Sequence, residues 1–324
     1  MTRIVVTRRL PGPALRALSE AGAVTIGAEE QDMPRAELLA AARGATALVT
    51  TLTDMVDAEL LDAAGPVLRV VSNYAVGYNN IAVDEATRRG VAVTNTPDVL
   101  TEATAEFTWA LLLAVCRRLA EGDALLRRGE TWAWAPEFML GTDVYGKTLG
   151  LVGLGRIGQA VARRARPFGM SVLYHGRHAA DSTLETELGA RHVTLDALLS
   201  QADVVSLHVP YSDRTRHLIG ARELGLMKRT AYLINTSRGA VVDEVALVRA
   251  LRSGTIAGAG LDVYEREPEL SAGLNTLPNT VLAPHLGSAT LETRTRMATL
   301  AADNVLAVLR GERPPSLVNP KVWR

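Results

Sequence analysis

Cysteine is almost missing from this 324-residue chain. The single Cys116 leaves nothing for it to pair with, which excludes an intrachain disulfide framework. It sits at the end of the apolar stretch Trp109 to Cys116, where a buried inert thiol is expected, with no cationic neighbour to lower its pKa. Net charge is missing too, since 35 Lys and Arg balance 35 Asp and Glu, which argues against nucleic acid or an anionic membrane as partner. The densest basic run, Arg163, Arg164 and Arg166, lies in a helical pattern and reads as a solvated face. Long hydrophobic runs are absent, and Trp109 to Cys116 is far too short to span a bilayer. The start, Met1-Thr2-Arg3-Ile4-Val5-Val6, reads as a strand without the apolar core of a signal peptide, so a cytoplasmic location is the expectation. No low-complexity tract or repeat of solenoid length occurs, and no metal site is expected.

What is present is a globular composition, 48% hydrophobic and 22% charged, in a chain longer than one core usually serves, so two domains are predicted. Short β-branched runs at Ile4–Thr7, Val24–Ile26, Ala47–Thr50, Leu68–Ser72 and Val91–Thr94 read as strands. Between them, Pro13–Gly22, Pro34–Gly44, Asp57–Gly65 and Val83–Gly90 read as helices, several closed by a glycine. The rhythm changes at Asn95-Thr96-Pro97-Asp98, after which a long apolar helix is predicted from Thr101, as N-cap, to Arg118. A Trp-rich loop follows (Trp132, Trp134), and alternation restarts at Lys147. Strands are predicted at Thr148–Val152, Ser171–Tyr174, Val204–Val209, Ala231–Asn235, Ala257–Asp262 and Val281–Ala283, and a closing helix at Leu291 to Arg310. Strand alternating with helix implies an α/β chain of two doubly wound parallel-sheet domains.

The first strand after the restart, Leu149-Gly150-Leu151-Val152, runs into Gly153-Leu154-Gly155-Arg156-Ile157-Gly158 and then a helical pattern at Gln159–Phe168. Strand, G-x-G-x-x-G and helix in that order form a Rossmann-type dinucleotide fingerprint. Gly153 makes the tight turn, Gly155 lets backbone approach a pyrophosphate, and Gly158 lets the helix pack close. An NAD enzyme usually carries Asp or Glu about 20 residues on. Here the second strand ends Tyr174-His175-Gly176-Arg177-His178, with no acid. Arg177 offers a permanently charged planar fork suited to a 2′-phosphate, the alternative being an exposed loop arginine. NADP(H) is therefore favoured, with NAD(H) left open.

Three further groups follow predicted strands, where open α/β sheets bind ligands. Arg238 follows Ile234-Asn235-Thr236-Ser237, Glu267 follows Leu261-Asp262-Val263-Tyr264-Glu265-Arg266, and His285 follows Ala283-Pro284. Reducing a 2-keto acid needs a cation for the carboxylate, a proton donor for the developing alkoxide, and a carboxylate to orient that donor. Each residue alone has a structural reading: a sheet-edge cap, a surface charge, a core histidine. Together, in order, they form a candidate catalytic set.

With these residues in hand, the sequence resembles the D-isomer-specific 2-hydroxyacid dehydrogenases, most closely their glyoxylate/hydroxypyruvate reductase branch, over nearly the whole chain. The resemblance is carried by Asn73-Tyr74-Ala75-Val76-Gly77-Tyr78-Asn79-Asn80-Ile81, Thr94-Asn95-Thr96-Pro97, Gly153–Gly158, Asn235-Thr236-Ser237-Arg238-Gly239, Gly260–Pro268 and Pro284-His285-Leu286-Gly287-Ser288. It implies that His285 is the general acid/base, Glu267 its partner, and Arg238 the substrate anchor. Backbone N–H groups of Val76 and Gly77 would meet the substrate carboxylate, with Leu52 and Asn73 nearby. Thr104 and Asp262 would flank a nicotinamide, Val209, Pro210 and Thr215 would border the adenosine, and Thr236, Ser237 and Gly287 would complete the cofactor contacts. It further implies a discontinuous flavodoxin-like substrate domain, 1–99 plus 287–324, a dinucleotide domain at 100–286, a cleft that closes on substrate, and a homodimer to which Trp132 or Trp134 could contribute. Two departures stand out. Gly77-Tyr78-Asn79-Asn80 replaces the Gly-Tyr-Asp-Asn of close relatives, and the second-strand acid of NAD-using members is absent. The chain also ends soon after its last helix, unlike long phosphoglycerate dehydrogenases with a regulatory domain. Competing expectations are phosphite or formate oxidation on the same fold, or a cofactor-sensing corepressor-like binding protein.

Overall fold

A computed structural model describes residues 2–28 and 31–323. Met1, where the first strand was expected to begin, and Arg324, where the first domain was expected to end, lie outside the described residues. The chain divides into two compact units, Met1–Leu100 with Ala289–Arg324, and Thr101–Ser288.

The first unit holds a five-stranded sheet of β1 (Arg3–Val6), β2 (Ala23–Ile26), β3 (Ala47–Thr50), β4 (Val70–Asn73) and β5 (Ala92–Thr94). All pairings are parallel, in the order β2-β1-β3-β4-β5, the flavodoxin-like doubly wound order. Parallel strands lie between helices, so β3 and β4 are buried along their whole length and read as continuous runs. The connecting helices are α1 (Ala14–Ala21), α2 (Arg35–Ala42), α3 (Ala58–Ala64) and α4 (Val83–Arg88). Asp57 caps α3 by accepting from the Leu60 N–H at 3.0 Å. The C-terminal helix Leu291–Arg310, capped by Thr290, packs across β3, β4 and β5. Ser72 on β4 donates to its Ala301 carbonyl at 3.0 Å.

The second unit opens with α5 (Thr101–Cys116), which includes Thr101 in its first turn rather than beginning after it. Trp109 on α5 donates its indole N–H to the Val161 carbonyl at 3.1 Å and stacks on Phe168 with centroids 4.7 Å apart. Burial pushes the Cys116 thiol up to about 12. Arg117 is in fact a cationic neighbour and pulls the other way, but burial outweighs it. After Arg118, which bends the chain with φ of 54°, comes α6 (Leu119–Arg127), where the sequence reading had only a loop.

The remaining elements are β6 (Thr148–Val152), α7 (Arg156–Ala165), β7 (Ser171–His175), α8 (Ser182–Leu188), β8 (Ala190–His192), α9 (Leu195–Gln201), β9 (Val204–Leu207), α10 (Ala221–Leu226), β10 (Tyr232–Asn235), α11 (Glu244–Arg252), β11 (Gly258–Leu261) and β12 (Thr280–Leu282). Their sheet runs β12-β11-β10-β9-β6-β7-β8 and is parallel throughout. Strand order reverses between β6 and β9, and a doubly wound sheet opens a ligand crevice at that switch point. The unexpected strand is β8, a three-residue edge. Among the described residues no helix is long and apolar enough to cross a membrane.

Candidate active site

Every residue of the glycine motif lies at the switch point. Gly153 leaves β6 with φ of 100°, and a Cβ there would stand 2.6 Å from the His208 carbonyl oxygen, so glycine is the side chain that fits. Its N–H donates to the His175 carbonyl at 2.8 Å, tying the turn to β7. Gly155 then caps α7 with open space around it and no side chain satisfying the first-turn N–H groups. Unsatisfied N–H groups and the helix dipole make such a terminus receptive to a phosphate anion. Leu154 and Ile157 are half-buried, Arg156 is exposed and Gly158 is buried, leaving the outer side of the turn open to a dinucleotide.

At the end of β7, Gly176 has room for a Cβ, with the His178 carbonyl oxygen 3.5 Å away. Arg177 and His178 are exposed, and the chain itself carries no acid from His175 to His178 at this strand end. Across the crevice, Thr215 closes the loop after β9 by donating to the Pro210 carbonyl at 2.7 Å and accepting from the Ser212 N–H at 2.8 Å. Val209 is half-buried there and Pro210 exposed.

Beyond β10 the chain is shaped by Asn235, a residue the sequence reading gave no separate role. Its Oδ1 accepts from the Ser237 N–H at 3.0 Å and hydroxyl at 2.8 Å, while its Nδ2 donates to the Arg238 carbonyl at 3.0 Å. This Asx-type turn holds Thr236, Ser237 and Arg238 in place. Thr236 bonds Thr108 of α5 hydroxyl to hydroxyl at 2.9 Å. Arg238 is half-buried and its Nη1 donates to the Ser237 carbonyl at 2.7 Å. Burial lowers the pKa of this guanidinium from its ordinary value and the Glu267 charge opposes that, so the two groups share a field.

Glu267 and His285 are in contact, with His285 Nδ1 2.8 Å from Glu267 Oε2. The other carboxylate oxygen accepts from the Tyr264 N–H at 3.0 Å. Burial pushes the Glu267 carboxyl up, but the His285 hydrogen bond and charge, the Tyr264 N–H and the Arg238 charge together hold it below the usual value. It is therefore ionised at neutral pH, and an ionised carboxylate can only accept, so His285 Nδ1 carries the proton of this bond. His285 sits in the left-handed region with φ of 56°, its N–H donating to the Asp262 carbonyl at 2.9 Å.

Asp262, 1% exposed, accepts from the Leu286 N–H at 2.6 Å and the Gly287 N–H at 2.8 Å. Burial raises its pKa, with those N–H groups and the His285 charge opposing. A Cβ on Gly287 would meet Asp262 Oδ2 at 3.1 Å and Thr104 Cγ2 at 3.4 Å, so Thr104, Asp262 and Gly287 form one cluster. A second histidine–carboxylate pair, which no sequence motif signals, joins His217 Nε2 to Glu265 Oε1 at 2.7 Å. No strand-end motif marks His217, whereas Glu267 shares its field with Arg238. That difference separates the two pairs.

In the first unit, Asn73 is fully buried at the end of β4. It accepts from the Thr50 hydroxyl at 3.1 Å and donates to the Gly77 carbonyl at 2.8 Å, so it braces the 74–77 loop. Asn95 holds the Val76 carbonyl at 2.8 Å. Both carbonyls of Val76 and Gly77 are thus engaged, while neither N–H donates to any group among the described residues. Leu52 is half-buried in the loop after β3. Asn80, 6% exposed, donates to the Thr51 and Asp54 carbonyls. No group of three or more metal-ligating side chains occurs among the described residues.

A family model described as D-isomer specific 2-hydroxyacid dehydrogenase, NAD binding domain, matches residues 109–287. A glyoxylate reductase from Thermococcus kodakarensis is 53% identical over 99% of this chain and 97% of its own length. Among solved structures, an NADPH-dependent glyoxylate/hydroxypyruvate reductase from Sinorhizobium meliloti, in complex with NADP and malonate, superposes with a TM-score of 0.87 at 35% identity, covering 100% of this chain and 98% of that one. A D-lactate dehydrogenase from Aquifex aeolicus, complexed with NAD and lactic acid, gives a TM-score of 0.84 at 29% identity over 98% and 99% of the two chains. Motifs, sheet order and whole-chain similarity agree, and the chain belongs to the D-isomer-specific 2-hydroxyacid dehydrogenase family of nicotinamide-dependent oxidoreductases.

Proposed function

We propose that this protein reduces glyoxylate and hydroxypyruvate to the 2-hydroxy acids with NADPH, with D stereochemistry where the product is chiral. The observation that carries the reading is the Glu267–His285 pair in the field of Arg238, beside a dinucleotide turn with no acid at the next strand end. When bound, the nicotinamide supplies the hydride that reaches the carbonyl carbon. Arg238 holds the substrate carboxylate and carbonyl oxygen; in the first unit, the N–H groups of Val76 and Gly77 are donors suited to a carboxylate. His285, its Nδ1 fixed by Glu267, gives the Nε2 proton to the developing alkoxide. Thr104, Asp262 and Gly287 hold the nicotinamide end, Thr236 and Ser237 border it, and Val209, Pro210 and Thr215 border the adenosine. The location consistent with this chemistry is cytoplasmic.

NADPH preference follows from charge at Gly176 and Arg177. A 2′-phosphate meets no carboxylate there, and Arg177 engages no other group among the described residues. One charge-assisted contact contributes about 1.5–3 kcal/mol, or roughly 10- to 100-fold in selectivity, toward the lower end because the site is exposed and screened. The test is steady-state kcat/KM for glyoxylate, hydroxypyruvate and pyruvate with both cofactors, in wild type, Arg177→Ala and Gly176→Asp. Both substitutions are expected to lower NADPH use far more than NADH use. A wild type that prefers NADH, or an unchanged ratio in Arg177→Ala, refutes the phosphate assignment. Absence of turnover on every keto acid would favour a cofactor-sensing binding protein.

The reading includes a homodimer. Helix α6 buries none of its residues, and Leu119, Leu126, Trp134, Leu140 and Tyr145 are each more than half exposed. Trp132 has a local role, stacking on Phe138 at 6.2 Å, whereas Trp134 is 81% exposed. So much apolar surface in one segment marks an interface, and a second copy of the same strip is the self-complementary occupant. Light scattering at micromolar concentration is expected to give twice the chain mass, falling to the monomer in Leu126→Glu/Trp134→Glu. A monomeric wild type would refute the assignment.

A further inference from the structure

The loop from Gly176 to Ala180, which carries Arg177 and His178, is fastened at both ends. At its start, the Gly176 carbonyl lies 3.2 Å from His192 Nε2. A carbonyl only accepts, so this imidazole nitrogen is protonated and donates. His192 closes β8 opposite Tyr174 in the β7–β8 register. Its ring stacks on His175, with centroids 6.2 Å apart and planes 9° apart. His175 in turn uses Nδ1 to reach the Val193 carbonyl at 3.1 Å, so the two rings stitch the strand ends together. At the far end of the loop, the Ala180 N–H donates to the Tyr174 hydroxyl at 2.6 Å, and that hydroxyl donates to Glu185 Oε1 at 2.6 Å. Tyr174 is 1% exposed and its ring centroid lies 5.0 Å from that of His192. One buried tyrosine and one edge histidine, in contact with each other, thus hold both ends of a five-residue loop whose outward side chains are exposed.

We propose that His192 is a specificity-determining positioning residue: by donating to the Gly176 carbonyl it presets the loop that offers Arg177 to the 2′-phosphate. The inference rests on the NADPH reading above and deepens it. An arginine on an unfastened loop would lose conformational freedom on meeting the phosphate, and that cost would offset part of the contact. His192 touches neither hydride nor substrate in this account. Its effect is confined to the part of the cofactor that distinguishes NADPH from NADH.

The probes are adenosine 2′,5′-bisphosphate and 5′-AMP, titrated calorimetrically into the full-length protein. His192→Phe keeps a flat ring for stacking but removes the donor, and His192→Gln keeps a donor of similar reach. Wild type is expected to bind the bisphosphate more tightly than 5′-AMP. His192→Phe is expected to lose about three- to tenfold of bisphosphate affinity, the scale of one neutral hydrogen bond, while its 5′-AMP affinity holds and His192→Gln recovers most of the loss. His192→Asn, whose shorter amide does not reach Gly176, makes the same test if the phenylalanine variant fails to fold. Equal losses for both probes, or an unchanged ratio in His192→Phe, overturn the positioning role alone. A wild type that does not distinguish the probes overturns the NADPH reading, and the role of His192 with it.

Discussion

His285→Ala is expected to lower kcat for glyoxylate reduction by about 10²–10⁴-fold, the usual contribution of a positioned general acid. The geometry motivates the size. Nδ1 is committed to Glu267 at 2.8 Å, which orients the ring and leaves Nε2 as the nitrogen that can give up a proton. Glu267→Gln removes the negative charge but keeps the shape, so it isolates the electrostatic part. A hydrogen bond to a charged group contributes about 1.5–3 kcal/mol, so this variant is expected to lose roughly 10- to 100-fold in kcat. The sign of the pH dependence follows from the carboxyl. Its pKa lies below the ordinary value, so the ion pair persists as pH falls through the range where free carboxyls protonate, and is lost only below it. The matching contribution to stability is present above the unfolded-state pKa of Glu267 and disappears as pH falls through its folded value. A His285→Ala enzyme with near-normal kcat would remove the assignment.

The pieces of this site differ in how plainly the sequence shows them. The glycine turn is legible because its requirements are local: a buried strand, a positive φ at Gly153 and a helix start all fall within ten residues. Arg238, Glu267 and His285 are legible as strand-end residues, but their mutual contact is a tertiary fact. Nothing local joins a loop after β11 to one after β12. Asn73 shows the limit of motif reading, for its place in a substrate-loop motif does not reveal that its side chain is spent on Thr50 and Gly77. Helix α6 was hidden because it is only nine residues long, is interrupted by Gly122 and buries none of its residues, so the periodic pattern by which a helix is recognised is weak there. Strand β8 is three residues with a polar centre, Ala190-Arg191-His192, too short for alternation to register. The His192 contact to Gly176 was invisible for the same reason, since it depends on β8 pairing with β7.

Arg238→Lys is expected to lower kcat/KM for glyoxylate by about 10²-fold while leaving Tm within about 3 °C of wild type. A guanidinium presents two parallel N–H donors to two oxygens at once, and a lysine ammonium is a point charge that cannot reproduce the fork. Losing one charge-assisted hydrogen bond of about 1.5–3 kcal/mol accounts for a loss of that order. Stability is expected to change little, because the Asx turn that shapes this loop is made by the side chain of Asn235 to backbone and Ser237, none of which the substitution removes. One contact that the substitution removes, Arg238 Nη1 to the Ser237 carbonyl, joins neighbouring residues. A change of 1 kcal/mol would move Tm by only about 2–4 °C in a domain of this size. The positive charge survives in the variant, so Glu267 keeps a cation in its field and the His285 pairing is preserved. Any kinetic defect then reports the lost fork and not a disturbed acid. The decisive comparison is kcat/KM against Tm across wild type, Arg238→Lys and Asn235→Ala. Asn235→Ala should lower both, since it releases the turn as well as the arginine. If Arg238→Lys unfolds the protein or lowers Tm as far as Asn235→Ala does, Arg238 is a structural residue and the substrate anchor must be sought elsewhere.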